Sequence, residues 1–150
     1  MGARWNAWLG LRAADKLRLL ACALGVVVVH AGLASRGYMR TRRSVEALTR
    51  RRRTRVASAE DLANARQLAR LAATAGRHGP VDATCLRQSL LVHGWLRLRG
   101  LQPVLQLGPT ETGTTQFQAH AWVELDGQRL LPADAGHRAF VSPARRSDAT

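Results

Sequence analysis

The chain has 150 residues, enough for one domain with a short appendage, and its two cysteines are too few for a disulfide scaffold or a four-cysteine zinc site. Hydrophobic residues make up 46% of the sequence, so a packed core can form and wholesale disorder is not expected. A formal net charge of +13 favours an anionic partner, surface or substrate, while an aromatic content of only 5% argues against a base-stacking platform for nucleic acid.

A short apolar helix is the first predicted element, over residues 19–34. Only His30 interrupts this run, which is shorter than the roughly 20 residues that a membrane-spanning helix needs. Two interpretations stay open: a helix that is buried or lies on a membrane surface, and a signal or anchor segment that ends in small residues. The basic cluster that follows opposes translocation. Cys22 lies inside the run, where we expect it to act as a small buried hydrophobic side chain.

An arginine-rich segment follows, from Arg36 to Arg55. It holds nine arginines and a single acid, Glu46, and therefore carries a net charge of +8 out of the total of +13. We divide the chain after this segment, into a region of apolar helix and arginines (1–57) and a domain of ordinary globular composition (58–150). The arginines are expected to form a solvated surface rather than a nucleic-acid site. An acidic protein surface and anionic lipid are their two other candidate partners.

A second helix is predicted over residues 59–75. Ser58 and Asp61 have the spacing of a capping box, and acidic residues favour the N-terminal end of a helix. Leucine and alanine recur at helical spacing through the segment, and Gly76 is expected to stop the helix. Nothing in this helix indicates chemistry.

The third predicted helix carries the first chemically informative residue, Cys85. Thr84 is the expected N-cap and Gly100 is expected to close the helix, so Cys85 falls in the first turn. The unpaired N–H groups and the helix dipole stabilise negative charge there, which makes a thiol ionise more easily. The same N–H groups can donate hydrogen bonds to a developing oxyanion. A buried, inert cysteine is the alternative interpretation.

Three strands are predicted after this helix. The first covers residues 104–107 and ends at a Gly-Pro pair, and after a polar loop the second covers residues 117–125. The Asp-Gly pair at 126–127 is a signal for a type I′ hairpin turn, so the third strand, residues 128–131, should pair back on the second.

His120 lies on the second of these strands, away from its apolar stripe. Period-two alternation puts His120 on one face with Gln118, Trp122 and Glu124, and the apolar residues on the other. Asp134 follows near the end of the returning strand, from where it can reach His120. A cysteine at a helix start, a histidine on a strand and an aspartate on the next strand make up a thiol, a base and an orienting carboxylate. For His120 alone, an ordinary surface or hydrogen-bonded strand histidine is the alternative.

Four short motifs carry a resemblance to a known family. They are Thr84-Cys85-Leu86-Arg87-Gln88-Ser89-Leu90, Arg97-Leu98-Arg99-Gly100-Leu101, Leu105-Gln106-Leu107-Gly108, and Ala119-His120-Ala121-Trp122-Val123-Glu124 with Asp126-Gly127. With these motifs the chain resembles the lasso-peptide leader peptidases, which belong to the transglutaminase-like cysteine-protease superfamily. The resemblance implies an α+β fold, with N-terminal helices followed by a papain/transglutaminase-like core. In that core a cysteine at a helix N-terminus packs on a small antiparallel sheet that carries the histidine and the aspartate.

The resemblance also implies roles for individual residues. Cys85 matches the nucleophile of the family, and His120 matches the general base. Asp134 is the favoured third member, and Asp126 competes with it, although the Asp-Gly turn already explains Asp126. Gln118 or the backbone N–H of Cys85 would complete an oxyanion site.

By resemblance, the protein removes the leader from a ribosomally made lasso-peptide precursor and needs no cofactor. A separate leader-binding protein would capture the precursor and an ATP-dependent lasso cyclase would close the ring, because no leader-binding domain is recognisable in the first 57 residues. Two other functions stay open: a transglutaminase-like acyltransferase, and a non-enzymatic basic adaptor on membrane or nucleic acid. A metal site is the weakest alternative, because His78, His93 and His137 are scattered. A cytoplasmic location is expected, with peripheral membrane contact left open.

Overall fold

The computed structural model describes residues 13–50, 52–78, 84–109 and 119–130. Three helices come first: α1 (Ala13–Thr49), α2 (Ala59–His78) and α3 (Cys85–Leu98). An antiparallel sheet follows, with β1 (Val104–Pro109), β2 (Ala119–Leu125) and β3 (Gln128–Arg129) in the order β1-β2-β3. This arrangement is compatible with the predicted α+β class, in which helices precede a small antiparallel sheet.

The first helix, α1, is longer than predicted and bends back on itself. The helical backbone is interrupted at Gly37, whose φ of 72° and ψ of 172° lie in a region that essentially only glycine adopts. Gly37 divides α1 into a first arm (13–36) and a second arm (38–49), and the arms meet where Gly32 lies against the side chain of Thr41. The second arm takes up much of the arginine-rich segment. Arginine is a good helix former, which is consistent with this.

The first arm packs its inner face against α2 and α3. Cys22, Val26 and Val29 are buried on that face and share one hydrophobic core with apolar residues of α2, α3 and β2. This burial confirms that Cys22 is a core side chain. Residues on both sides of position 57 contribute to the core, and the division of the chain at that position stays a prediction.

The ends of α2 and α3 test the capping residues and the glycines that were predicted to begin and end these helices. The Asp61 N–H donates to Ser58 Oγ over 3.2 Å and the Ser58 N–H donates to Asp61 Oδ2 over 2.9 Å, so the predicted capping box is confirmed. The predicted end at residue 75 is wrong, because α2 continues through Gly76 to His78. Gly76 is buried inside the helix and does not terminate it. Gly100 closes α3 as predicted, with a φ of 79° and its N–H bonded to a carbonyl of the last turn.

The first strand, β1, extends two residues beyond the predicted end. Gly108 and Pro109, which were expected to end it, remain paired with β2. Pro109 is tolerated because β1 lies at the edge of the sheet, where a missing N–H need not break the ladder. The predicted type I′ turn is confirmed by the positive φ angles of Asp126 (49°) and Gly127 (73°). β3 pairs back on β2 as predicted but ends at Arg129, although the N–H of Leu130 still donates to the carbonyl of Val123 over 3.0 Å; residue 131 lies outside the described residues.

Candidate active site

Cys85 occupies the first position of α3. Thr84 is the N-cap, as predicted, with extended backbone angles (φ −60°, ψ 161°), and its carbonyl accepts the N–H of Gln88 over 3.1 Å. The Thr84 side chain makes no capping hydrogen bond, so it does not occupy the N–H groups of the first turn. The Cys85 side chain is half-buried and its thiol is free. A thiolate or an oxyanion at this position would face the positive end of the helix dipole.

Burial separates the two cysteines chemically. Cys22 is completely buried in the core, and desolvation raises the pKa of its thiol to about 11. A thiol with such a pKa stays protonated and unreactive near neutral pH. Of the two cysteines, Cys85 alone has access to solvent and lies at a helix start.

His120 lies at the start of β2, on the face that alternation predicts. Val123 and Leu125 of β2 join the hydrophobic core, whereas Trp122 contacts both His120 and Glu124, so the two predicted faces of the strand are confirmed over its described part. The residue opposite His120 on β1 is Gly108, which places no side chain on the His120 face. His120 is half-buried and stacks on Trp122, with ring centroids 6.2 Å apart and ring planes inclined by 22°.

Trp122 is held in place by polar neighbours on the same face of the sheet. Its Nε1–H donates to Glu124 Oε1 over 2.8 Å, and Gln106 Nε2 donates to the other carboxylate oxygen over 3.4 Å. The guanidinium of Arg129 lies 4.2 Å from the centroid of the indole ring, a cation–π contact. Only 2% of the Trp122 surface is exposed. The aromatic surface on which His120 stacks is therefore fixed from several directions.

Ser89 joins the helix of Cys85 to the strand of His120. Its Oγ donates to the carbonyl oxygen of Ala121 over 3.0 Å, and Ser89 is completely buried. Cys85 lies one helical turn before Ser89, and His120 lies one residue before Ala121. The two predicted catalytic residues therefore flank this contact. Nothing in the local pattern marks Ser89 as a site residue. Its position four residues after Cys85 does put both side chains on the same face of α3.

The third member of the predicted triad is not among the residues that the structure places. Asp134 and Gln118 both lie outside the described residues, so their roles stay predictions. Asp126 is exposed in the turn after β2, six residues along the chain from His120. At about 3.4 Å per residue of strand, it lies roughly 20 Å from His120, far beyond hydrogen-bond reach. Asp134 therefore remains the predicted orienting acid.

The described residues hold no group of three or more His, Cys, Asp or Glu side chains that could bind a metal ion. His78 ends α2, His93 is buried in α3, and His137 lies outside the described residues. Burial, together with the nearby positive charges of Arg97 and Arg42, lowers the pKa of His93 to about 4. His93 is therefore a neutral core side chain near pH 7.

A comparison with known protein families covers most of the chain. The model of a family described as the transglutaminase-like superfamily matches residues 23–143, a range that contains Cys85, His120 and Asp134. No curated protein and no solved structure matches.

Proposed function

Because this chain belongs to the transglutaminase-like superfamily, we propose that it is a cysteine peptidase that removes the leader from a ribosomally synthesised lasso-peptide precursor. The observation that carries the proposal is the position of Cys85 at the start of α3, a helix that Ser89 ties to the strand of His120. Cysteine proteases and acyltransferases both occur in this superfamily. The motifs around Cys85 and His120 support the narrower assignment, because they resemble those of the lasso-peptide leader peptidases.

In the proposed reaction, the Cys85 thiolate attacks the carbonyl carbon of the scissile peptide bond. First-turn N–H groups of α3 stabilise the negative charge that develops on the carbonyl oxygen. The His120 imidazolium donates its proton to the departing amine, and the leader remains attached to Cys85 as a thioester. His120 then takes a proton from water, which attacks the thioester, releases the leader as a carboxylate and restores the thiolate. Asp134 would orient His120 through its other ring nitrogen.

Two protein partners belong to this proposal. A separate leader-binding protein captures the precursor and presents it to Cys85, and an ATP-dependent lasso cyclase closes the ring of the freed core peptide. The resemblance to stand-alone leader peptidases supports both partners. Thiol–imidazole chemistry requires no cofactor, so the proposal includes none.

Mass spectrometry of a precursor peptide incubated with the full chain tests the proposal, with and without the leader-binding protein. We expect one cut between leader and core that requires both the partner protein and Cys85. Cys85→Ala and His120→Ala should abolish this cut. Cys22→Ala is the matched control and should retain it, because the Cys22 thiol is buried in the core and protonated.

Three outcomes would overturn parts of the proposal. A cut that survives Cys85→Ala would show that another group is the nucleophile. If an added primary amine becomes joined to the leader in place of water, the chain is an acyltransferase. A folded chain that yields no product would favour a non-enzymatic adaptor, whose binding should depend on exposed arginines such as Arg52 and Arg53 and fall steeply with salt.

A further inference from the structure

The outer face of the first arm of α1 is apolar and exposed. Every exposed side chain between positions 20 and 34 is aliphatic, namely those of Leu20, Leu24, Val28, Ala31 and Ala34. The three larger ones keep 56%, 66% and 63% of their surface accessible, and Leu17, one turn earlier, keeps 68%. Because the inner face of the arm is apolar as well, this segment has no polar side. Such a helix is usually covered all round, by a protein core or by lipid.

The apolar face continues onto neighbouring elements. Leu48 of the second arm is 77% exposed, and Leu98 of α3 is 48% exposed. Between the two arms and α3 runs an apolar groove of about 370 Å³, whose lining includes Leu24, Val28 and Leu91. The first arm, the groove and these two leucines therefore form one continuous surface, which we call the apolar face.

Exposed arginines lie at the hairpin end of the apolar face. Arg36, Arg40 and Arg43 are exposed near the turn of the helical hairpin, and no carboxylate in the described part of the chain pairs with them. The two acids of α1, Asp15 and Glu46, are engaged by other side chains. The hairpin end of the apolar face is therefore positive, and Arg36 lines a second cavity there together with Val28 and Ala31.

We propose that the apolar face is a peripheral membrane-binding surface, on which the first arm lies in the plane of an anionic bilayer. Hydrocarbon requires no hydrogen-bonding partners, which suits a face whose exposed side chains between positions 20 and 34 are all aliphatic. A protein interface is instead bordered and crossed by hydrogen-bonding groups. The bordering arginines match anionic headgroups, as the basic flanks of amphipathic membrane helices do.

The fold favours a surface-bound helix over a spanning one. The apolar run was expected to be too short to span a membrane, but α1 extends it, and among the described helices α1 is long and apolar enough to cross one, by length and composition only. Its inner face is committed to the protein core, and Gly37 turns the chain back after the first arm. Insertion of the whole helix would break both arrangements, whereas shallow insertion of the outer face keeps them.

Membrane binding at this face leaves the candidate active site accessible. Leu91, Gly94 and Leu98 of α3 line the groove, whereas Ser89 on another side of the same helix contacts β2. The start of α3, with Cys85, therefore does not belong to the apolar face. Membrane binding at the apolar face depends on exposed apolar area and positive charge, not on peptidase activity.

Flotation of the full chain with lipid vesicles tests the inference. We expect binding to vesicles of phosphatidylcholine and phosphatidylglycerol, with weaker binding to phosphatidylcholine alone. Leu20→Gln with Leu24→Gln should weaken binding by roughly tenfold for each leucine, because that apolar area no longer leaves water. Val56→Gln with Val104→Gln is the matched control, since these side chains are exposed outside the apolar face.

Substitution of arginines tests the contribution of positive charge to vesicle binding. Arg40→Gln with Arg43→Gln should weaken binding to the anionic vesicles by roughly fivefold for each arginine, and added salt should do the same. Arg70→Gln with Arg77→Gln removes equal charge from α2 and should have a smaller effect. Leu20→Met with Leu24→Met keeps the apolar area and should keep binding.

Three results would overturn the inference. The first is a wild-type chain that binds neither type of vesicle. The second is a Leu20→Gln, Leu24→Gln variant that binds vesicles as tightly as the Val56→Gln, Val104→Gln control. The third is evidence that another protein covers the apolar face. If a second copy covers it, light scattering would show a wild-type dimer that the Leu20→Gln, Leu24→Gln variant cannot form. If the leader-binding protein covers it, the same variant would lose binding to that protein but keep binding to vesicles.

Discussion

Ser89→Ala removes the hydroxyl group that joins α3 to β2. The carbonyl of Ala121 would then lose its hydrogen bond at a place that water does not reach, since Ser89 and Ala121 are 0% and 1% exposed. A buried acceptor left without a donor costs about 1–3 kcal/mol of stability. For a chain of this length, that loss lowers the melting temperature by roughly 2–10 °C.

Urea denaturation of Ser89→Ala beside Ser44→Ala measures this loss. Ser44 also donates to a backbone carbonyl, that of Arg40, over 3.0 Å, but its bond is local to the second arm and exposed. We expect Ser44→Ala to change the free energy of unfolding by less than about 0.5 kcal/mol. Equal stability of the two variants would refute the reasoning that a buried long-range hydrogen bond holds α3 on β2.

The same pair of variants tests the link between Ser89 and the candidate site. If Ser89 positions Cys85 relative to His120, Ser89→Ala should slow alkylation of Cys85 by iodoacetamide and alter the pH profile of that rate. Ser44→Ala should leave the profile as it is. A Ser89→Ala variant that loses stability but keeps the wild-type pH profile would restrict Ser89 to a structural role.

Two further predictions concern the stability of the helices. Gly37→Ala should lower the free energy of unfolding by about 1–3 kcal/mol, because a side chain strains the backbone at a φ of 72° although no atom crowds it within 4 Å. A variant as stable as the parent in urea would contradict the glycine-dependent turn. The free energy of unfolding should also fall by up to roughly 3 kcal/mol between about pH 6.5 and pH 4, because the unfolded chain protonates His93 before the folded chain does. His93→Leu should flatten this part of the curve of stability against pH, and a curve that keeps its slope would show that other groups govern it.

Features made by neighbours in sequence could be predicted. The capping box of Ser58 and Asp61 and the type I′ turn at residues 126–127 depend on contacts within a few residues, and both are present. Gly76 was wrongly predicted to end a helix, and Pro109 was wrongly predicted to end a strand. A helix interior in the core accepts glycine, and an edge strand accepts proline, so the surroundings of each residue decided its role.

The candidate site could be predicted in part, for the same reason. The helix start at Cys85 and the face of β2 that carries His120 follow from local spacing, and the structure confirms both positions. Ser89 could not be predicted, because its acceptor is a backbone carbonyl 32 residues away that any residue type would supply. The cation–π contact of Arg129 with Trp122 likewise depends on how β3 aligns with β2.

The sequence by itself determined the order of the elements, the turn types, the helix start that presents Cys85 and the strand face that presents His120, because each depends on residues close together in the chain. Only the tertiary structure decided which side of the first arm of α1 is buried. Between residues 20 and 34 that arm has no polar side to orient it, so its inner face is defined by the helices that pack against it.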